Sequence, residues 1–450
     1  MEDTLATESS RVGGASSKND SRPLDITAQR ARRRISVRII PYVFLLYIIA
    51  FLDRVNVGYA ALQMTKDLGF SAEVFGFGAG IFFFGYVTLE IPGSILVERW
   101  SARKWIARIM ISWGILAIMM AFVRTSGQFY WVRFLLGAAE AGFFPGLIVY
   151  LSHWFRYEDR AKAVALFMAA IPVSNLIGSP MSGLLLGVHW FDVAGWRWLF
   201  IIEGIPAVVF GFVTLYYLTD WPREAPWLPD DEKAWIVGQL EREKVERKAV
   251  RHISMWQALA HRDVLLLVGA YFFAVVGFYG LYIWMPTVIQ QSSGWSDLEV
   301  TMVAMIPHLT GLAAMLVVGA SSDRTGERRW HAAAVMVAGG VGYVLVILAG
   351  GNPLLVVAAF CLVAAGVDGF MPGFWPIPTA FLTESAAAAS IGLINSFGNL
   401  GGFVGPFILG YVRTTTNSFN GGLALLAVSM VLGAACVLSV RSHQGAAAHR

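Results

Sequence analysis

Two short stretches hold the residues with the most chemical potential. Asp53, Arg54 and Asn56 lie well inside one long apolar run, and Arg133 and Glu140 lie inside another. A charge in a hydrocarbon layer costs roughly 2.5–3.5 kcal/mol on insertion scales, so such residues are functional candidates by default. Arg54 and Arg133 offer guanidinium groups, which grip a carboxylate through paired hydrogen bonds. Asp53 and Glu140 offer acids that can take up and release protons in a cavity of low dielectric. Adjacent helix positions point about 100° apart, so Asp53 and Arg54 need not neutralise each other. Arg133 and Glu140 share one helix face, about 10 Å apart along the axis. The structural alternative is a set of closed ion pairs, Asp53 with Arg133 or Arg54 with Glu140, that only hold helices together. Buried pairs of that kind are weak sources of stability.

Other polar residues stand in apolar runs. Tyr86 and Tyr279 are candidates to line a cavity, and Asn395 to hydrogen-bond a ligand or a neighbouring helix. His308 and Asp368 lie mid-run and either contact a ligand or pair with each other. Glu90 reads as a gate or structural group. Glu203 lies only a few residues inside its run and reads as an interfacial cap. Ser174 and Asn175 are weaker candidates. The intramembrane acids Asp53, Glu90, Glu140, Glu203 and Asp368 outnumber the two bases. Those without a cation must be protonated, solvated or placed at a span end.

The elements that position these residues follow from composition. Of 450 residues, 56% are hydrophobic and 14% charged, with a mean hydropathy of +0.60. Soluble domains carry about 25% charged residues, so a water-soluble enzyme is excluded. Runs of about 20 apolar residues read as membrane helices. Twelve are expected, at 39–62, 75–97, 105–123, 129–151, 163–187, 199–219, 264–290, 299–320, 332–349, 354–381, 388–412 and 421–440. The organisation is then a polar tail (1–38), a six-helix bundle (39–219), a polar linker (220–263), a second six-helix bundle (264–440) and a short tail (441–450). The first tail lacks the apolar core of a cleaved signal peptide. Of the 34 Lys and Arg residues, Arg54 and Arg133 fall within spans, and Lys66, Arg124, Arg197 and Arg413 fall in loops of one side. All the others lie on the linker's side, which places both termini in the cytoplasm. Cys361 and Cys436 sit in apolar runs, so neither a disulfide framework nor a Cys-rich metal site is expected.

The two bundles read as copies. The loop after the second span is Ser94-Ile-Leu-Val-Glu98-Arg99-Trp-Ser101-Ala-Arg103, and that after the eighth is Gly319-Ala-Ser-Ser-Asp323-Arg324-Thr-Gly326-Glu-Arg328. An acid–Arg pair recurs at the same place in each half, as in transporters built from parallel repeats. Glu98, Arg99, Asp323 and Arg324 are the expected gate residues. The second loop resembles the loop signature of the major facilitator superfamily, Gly-x-Leu-x-Asp-Arg-x-Gly-Arg-Lys. The first departs from it, with Ser94 and Ser101 for the glycines and Glu98 for the aspartate. Further stretches resemble the anion:cation symporter family: Phe51-Leu-Asp-Arg-Val-Asn56, Glu90-Ile-Pro-Gly93, Arg133-Phe-Leu-Leu-Gly-Ala-Ala-Glu140 and Asn395-Ser-Phe-Gly-Asn-Leu-Gly-Gly-Phe-Val-Gly-Pro406. They run from the first span to the eleventh.

The resemblance implies an all-α membrane protein of twelve helices in two pseudo-symmetric bundles. It also implies proton-coupling roles for Asp53 and Glu140. Arg54 would hold a substrate carboxylate, with Arg133 in the same network and Asn395 on substrate hydroxyls. The function expected is proton-coupled uptake of a small organic anion (tartrate, an aldonate or a related sugar acid) by a monomer in a bacterial inner membrane. Its partners would be substrate, protons and lipid, with no nucleic acid and no cofactor beyond the proton. Aromatic stretches (82–84, 271–273 and 278–284) keep a phthalate- or hydroxyphenylacetate-type acid open. A drug or cation antiporter of the same fold is the rival that Arg54 and Arg133 count against. No Gly-Lys dipeptide is present for an ATP-binding loop. The scattered histidines offer no metal cluster or catalytic set, so no enzyme is expected.

Overall fold

The computed structural model describes residues 21–248, 261–381 and 384–441, and among these every regular element is helical. The first half holds α1 (Ser21–Asp67), α2 (Ala72–Arg99), α3 (Ala102–Met120), α4 (Ser126–Glu140), α5 (Phe143–Trp154), α6 (Tyr157–Met168), α7 (Ala170–Leu186) and α8 (Gly195–Tyr217). Helix α9 (Asp230–Lys248) follows. The second half holds α10 (Arg262–Ser293), α11 (Asp297–Thr325), α12 (Arg329–Leu348), α13 (Pro353–Phe374), α14 (Pro376–Phe381), α15 (Glu384–Gly398), α16 (Gly401–Thr416) and α17 (Asn420–Ser439). The parts of the expected tails and linker at 1–20, 249–260 and 442–450 lie outside the described residues.

Among the described residues, eleven helical segments are long and apolar enough to cross a bilayer. Helix α3 falls outside that set because Arg103, Lys104 and Arg108 crowd its first two turns. Large apolar side chains face outward in stripes, such as Ile205, Val209 and Phe212 on α8 and Met302, Ile306 and Leu309 on α11. A lipid solvent accounts for such faces, and helices satisfy every backbone hydrogen bond within themselves. This is an integral membrane protein.

Four of the expected spans are each built from two helices. The fourth breaks at Ala141–Gly142, where Gly142 adopts φ 83°, a conformation open to glycine at little cost. The fifth breaks at Ala169, the tenth at Trp375 before Pro376, and the eleventh at Asn399–Leu400. Where α2 crosses α4, Gly85 lies against the backbone of Phe134 and Gly137 against that of Phe82. A side chain at either glycine would push the two helices apart.

Helix α1 begins at Ser21, inside the stretch read as a polar tail, and rises about 70 Å. Its Arg- and Ala-rich start has good helix propensity and finds acidic partners. Arg30 pairs with Asp231 at 3.0 Å, Arg34 with Glu232 at 3.1 Å, and Arg32 with Asp159. These contacts bind α1 to α9 and α6 at what we call the linker end. The halves meet through α1 and α10, α2 and α16, and α7 and α11. At the opposite, distal end they are pinned together. Gln63 donates to Asp297 at 2.8 Å, Lys66 to Gln290 at 3.3 Å, and the Glu73 amide to Thr414 at 2.9 Å.

Candidate functional site

Helix α1 carries Asp53, Arg54 and Asn56 about 20 Å from its distal end, and the 100° step between neighbours separates their tasks. Arg54 turns toward a cavity between the halves, while Asp53 and Asn56 turn into the first half. The Arg54 guanidinium forms an ion pair with Glu140, the side chains being 13% and 3% exposed. Glu140 ends α4, where the helix dipole opposes a negative charge, so the arginine offsets both burial and dipole. Arg54 also donates toward the Tyr279 hydroxyl at 3.5 Å, and it lies over the rings of Phe51 and Tyr86. Its Nε is buried with no hydrogen-bond partner among the described residues.

The first half contributes Tyr47, Phe51, Arg54 and Tyr86 to the cavity walls. The second contributes Tyr271, Tyr279, Trp375, Asn395 and Asn399, so aromatic rings surround a few polar groups. The Asn395 amide donates to Glu90 at 2.5 Å and so links α15 to α2 across the halves.

Arg133 is placed differently. It is 1% exposed, donates to the backbone carbonyls of Gly78 (3.4 Å) and Ala79 (3.0 Å) on α2, and lies over Phe82. It does not line the cavity. Two helical turns separate it from Glu140, so Arg54 reaches that carboxylate and Arg133 is held by α2. Of the two closed pairings, Asp53 with Arg133 forms no salt bridge among the described residues, whereas Arg54 with Glu140 does.

His308 and Asp368 do not hydrogen-bond each other and do not line the cavity. The Tyr282 hydroxyl donates to both Asp368 oxygens, at 3.0 and 2.8 Å, and its ring stacks on His308 at 5.1 Å. His308 Nε2 meets the Tyr59 hydroxyl at 3.0 Å. Ser174 bonds its own helix at Ile171, and Asn175 is buried beside Tyr282. Of the gate residues, Asp323 pairs with Arg328 at 2.6 Å within its own loop, and Arg324 is exposed. The side chains of Glu98 and Arg99 lie outside those described.

With this geometry in place, comparison with known proteins is decisive. Residues 43–406 match the model of the Major Facilitator Superfamily. The chain belongs to that superfamily. It is a transporter, not an enzyme, and its relatives agree with the fold. It is 47% identical to a protein of Agrobacterium vitis provisionally named a tartrate transporter, over 91% of this chain and 94% of that one. It is 37% identical to a quinolone resistance transporter of Acinetobacter baumannii, over 89% and 92%. Among solved structures it resembles the xylose transporter XylE from E. coli in a partially occluded inward-open conformation. The TM-score is 0.70 at 14% identity, covering 92% of this chain and 99% of that one.

The transporter's cavity also uses residues that sequence reasoning passed over. Trp375 and Asn399 reach the wall because their spans break beside them. The signals were Pro376 in one case and Gly398, Gly401 and Gly402 in the other. Glu203 needs a correction. It is not an interfacial cap but a group 4% exposed that accepts from Asn56 at 2.8 Å.

Proposed function

We propose that this transporter is a proton-coupled symporter that takes up a small organic anion, tartrate or a related sugar acid, by alternating access. The observation that carries the reading is the ion pair with Glu140 made by Arg54, a residue that lines the cavity between the halves. While Glu140 is ionised, it occupies the guanidinium. A proton on Glu140 removes that competing charge and leaves Arg54 to grip a carboxylate in paired hydrogen bonds. Asp53, next to Arg54 in the chain, is the second proton-coupling group, and Arg133 contributes a fixed positive charge from behind Phe82. Tyr86, Tyr279 and Asn395 are the donors suited to substrate hydroxyls.

Loading favours rocking of the halves about α1–α10, α2–α16 and α7–α11, after which substrate and protons leave on the other side. The name of the Agrobacterium vitis relative supports tartrate. The bias of Lys and Arg to the linker end supports cytoplasmic termini, and the family resemblance supports a bacterial inner membrane. The ring-lined walls favour a second reading, an aromatic carboxylate such as a phthalate-type acid.

Uptake of L-tartrate into proteoliposomes under imposed pH and voltage gradients tests the proposal. Accumulation driven by an inward proton gradient supports it, and uptake indifferent to both gradients refutes proton coupling. Phthalate outcompeting tartrate selects the second reading.

A further inference from the structure

Glu203 on α8 is a buried carboxylate that the mechanism above does not use. It lies about 12 Å from the distal end of its helix. Its Oε2 accepts from Asn56 Nδ2 at 2.8 Å, and the same nitrogen donates to Asp53 Oδ1 at 3.1 Å. One amide nitrogen therefore serves two carboxylates, one hydrogen for each. Asp53, Asn56 and Glu203 are 3%, 1% and 4% exposed. Neither acid has a salt-bridge partner among the described residues. Glu203 Oε1 and Asn56 Oδ1 are buried, and the Ser182 hydroxyl of α7 is the other donor beside Glu203 among the described residues.

Among the described residues, none offers a cation to Glu203. Helix α1 presents Asp53 and Tyr59, α7 presents Ser182, and α3 packs against the neighbouring Gly204 with Gly114 and Ile118. On the far side of Asp53 the charged groups are Arg133 and Glu140 of α4, neither of them hydrogen-bonded to it. Two buried carboxylates that share one neutral donor cannot both ionise cheaply, as in the paired acids of other proteins.

We infer that Asp53 and Glu203, bridged by Asn56, form a single proton-binding unit that makes Glu203 a third carboxylate of the coupling machinery. Discharged, the pair carries two negative charges; loading adds one proton to it and leaves one charge. The remaining negative charge is held between the two carboxylates by the amide hydrogens of Asn56, which themselves do not transfer. Because Glu203 lies nearer the distal end than Asp53, the unit extends from beside Arg54 toward the distal end, buried throughout. The inference rests on the proton-coupled reading and adds a residue to it.

Infrared difference spectroscopy over a pH titration tests it on the full chain in liposomes, with no substrate present. The wild type, Asp53→Asn, Glu203→Gln and the double variant are compared in the carbonyl region of protonated carboxyls. A shared proton gives one band that either single substitution shifts or abolishes and the double variant removes. Two separate bands, each answering to one residue alone, overturn the inference, as does a spectrum that neither substitution alters. Transport gives a second readout with L-tartrate as the probe. Glu203→Gln lowers gradient-driven accumulation at least about tenfold more than it lowers tartrate counterflow, and Glu203→Asp recovers most of the loss. Equal reduction of both activities marks Glu203 as structural and overturns the inference. A wild type that carries tartrate without regard to the proton gradient sinks the symport reading instead, with the infrared result still deciding whether the pair shares a proton.

Discussion

The Arg54 guanidinium and the Glu140 carboxylate form an ion pair that ties the middle of α1 to the last turn of α4. Both residues belong to the first half, and Arg54 lines a cavity whose other wall carries Tyr279 and Asn395 of the second. A substrate anion that displaces Glu140 from Arg54 therefore changes what lies between the halves. This is where binding and rocking can be coupled.

Arg54→Ala is expected to abolish tartrate counterflow, a loss of at least about a hundredfold for a buried charge-assisted contact. Arg54→Lys restores little, because an ammonium cannot reproduce the paired geometry. A drug exporter of the same fold would keep its activity in both variants. Assaying quinolone efflux beside tartrate counterflow separates the two.

At the distal end, Asp297 accepts from both Gln63 and Gln290, at 2.8 and 2.6 Å. Asp297→Ala removes both contacts and shifts the population toward an open distal side. Spin labels introduced by Leu68→Cys and Ser293→Cys should report a longer and broader distance distribution than in the otherwise unchanged protein. An unchanged distribution would show that the pins do not hold the closure.

The contacts between α1 and α9 should differ in weight. Arg30 and Asp231 are each about half exposed, whereas the Glu232 side chain is 1% exposed beneath Arg34. Exposed pairs contribute about 0–1 kcal/mol, so Arg30→Ala should leave the thermal unfolding midpoint nearly unchanged. Glu232→Ala strands Arg34 and opens a packed site, and it should lower the midpoint by several degrees. Added salt should weaken only the exposed pair.

Gly142 breaks the fourth span at φ 83° and packs against Gly93 and Trp105. Gly142→Ala forces an L side chain into the left-handed region at a cost of about 1–2 kcal/mol. A lower unfolding midpoint with intact membrane insertion is the expected result. A neutral substitution would mean the break is not needed.

Much of the architecture was legible because lipid imposes a simple rule. Apolar runs long enough to span had to be helices, and charges within them had to find partners. Asp53, Arg54 and Glu140 were recognisable for that reason, and Tyr86, Tyr279 and Asn395 do reach the cavity wall. The orientation of Arg133 was not legible. Whether it meets a carboxylate or the carbonyls of Gly78 and Ala79 depends on how closely α2 approaches α4, which Gly85 and Gly137 decide in three dimensions. Glu203 was misread because its distance from the span end was known but its rotation toward Asn56 was not. Tyr282, which separates His308 from Asp368, stood among other aromatics with nothing in its spacing to single it out. The extension of α1 to Ser21 depends on acids far along the chain, Asp159, Asp231 and Glu232.

The central claim is that a proton on Glu140 frees Arg54 for a carboxylate. The most direct measurement is calorimetric tartrate affinity as a function of pH for the wild type and Glu140→Gln. The account predicts wild-type affinity that falls as pH rises, and Glu140→Gln affinity that stays near the acidic wild-type level throughout. A Glu140→Gln variant that retains the wild-type pH dependence, or that no longer binds tartrate when the wild type does, would contradict it.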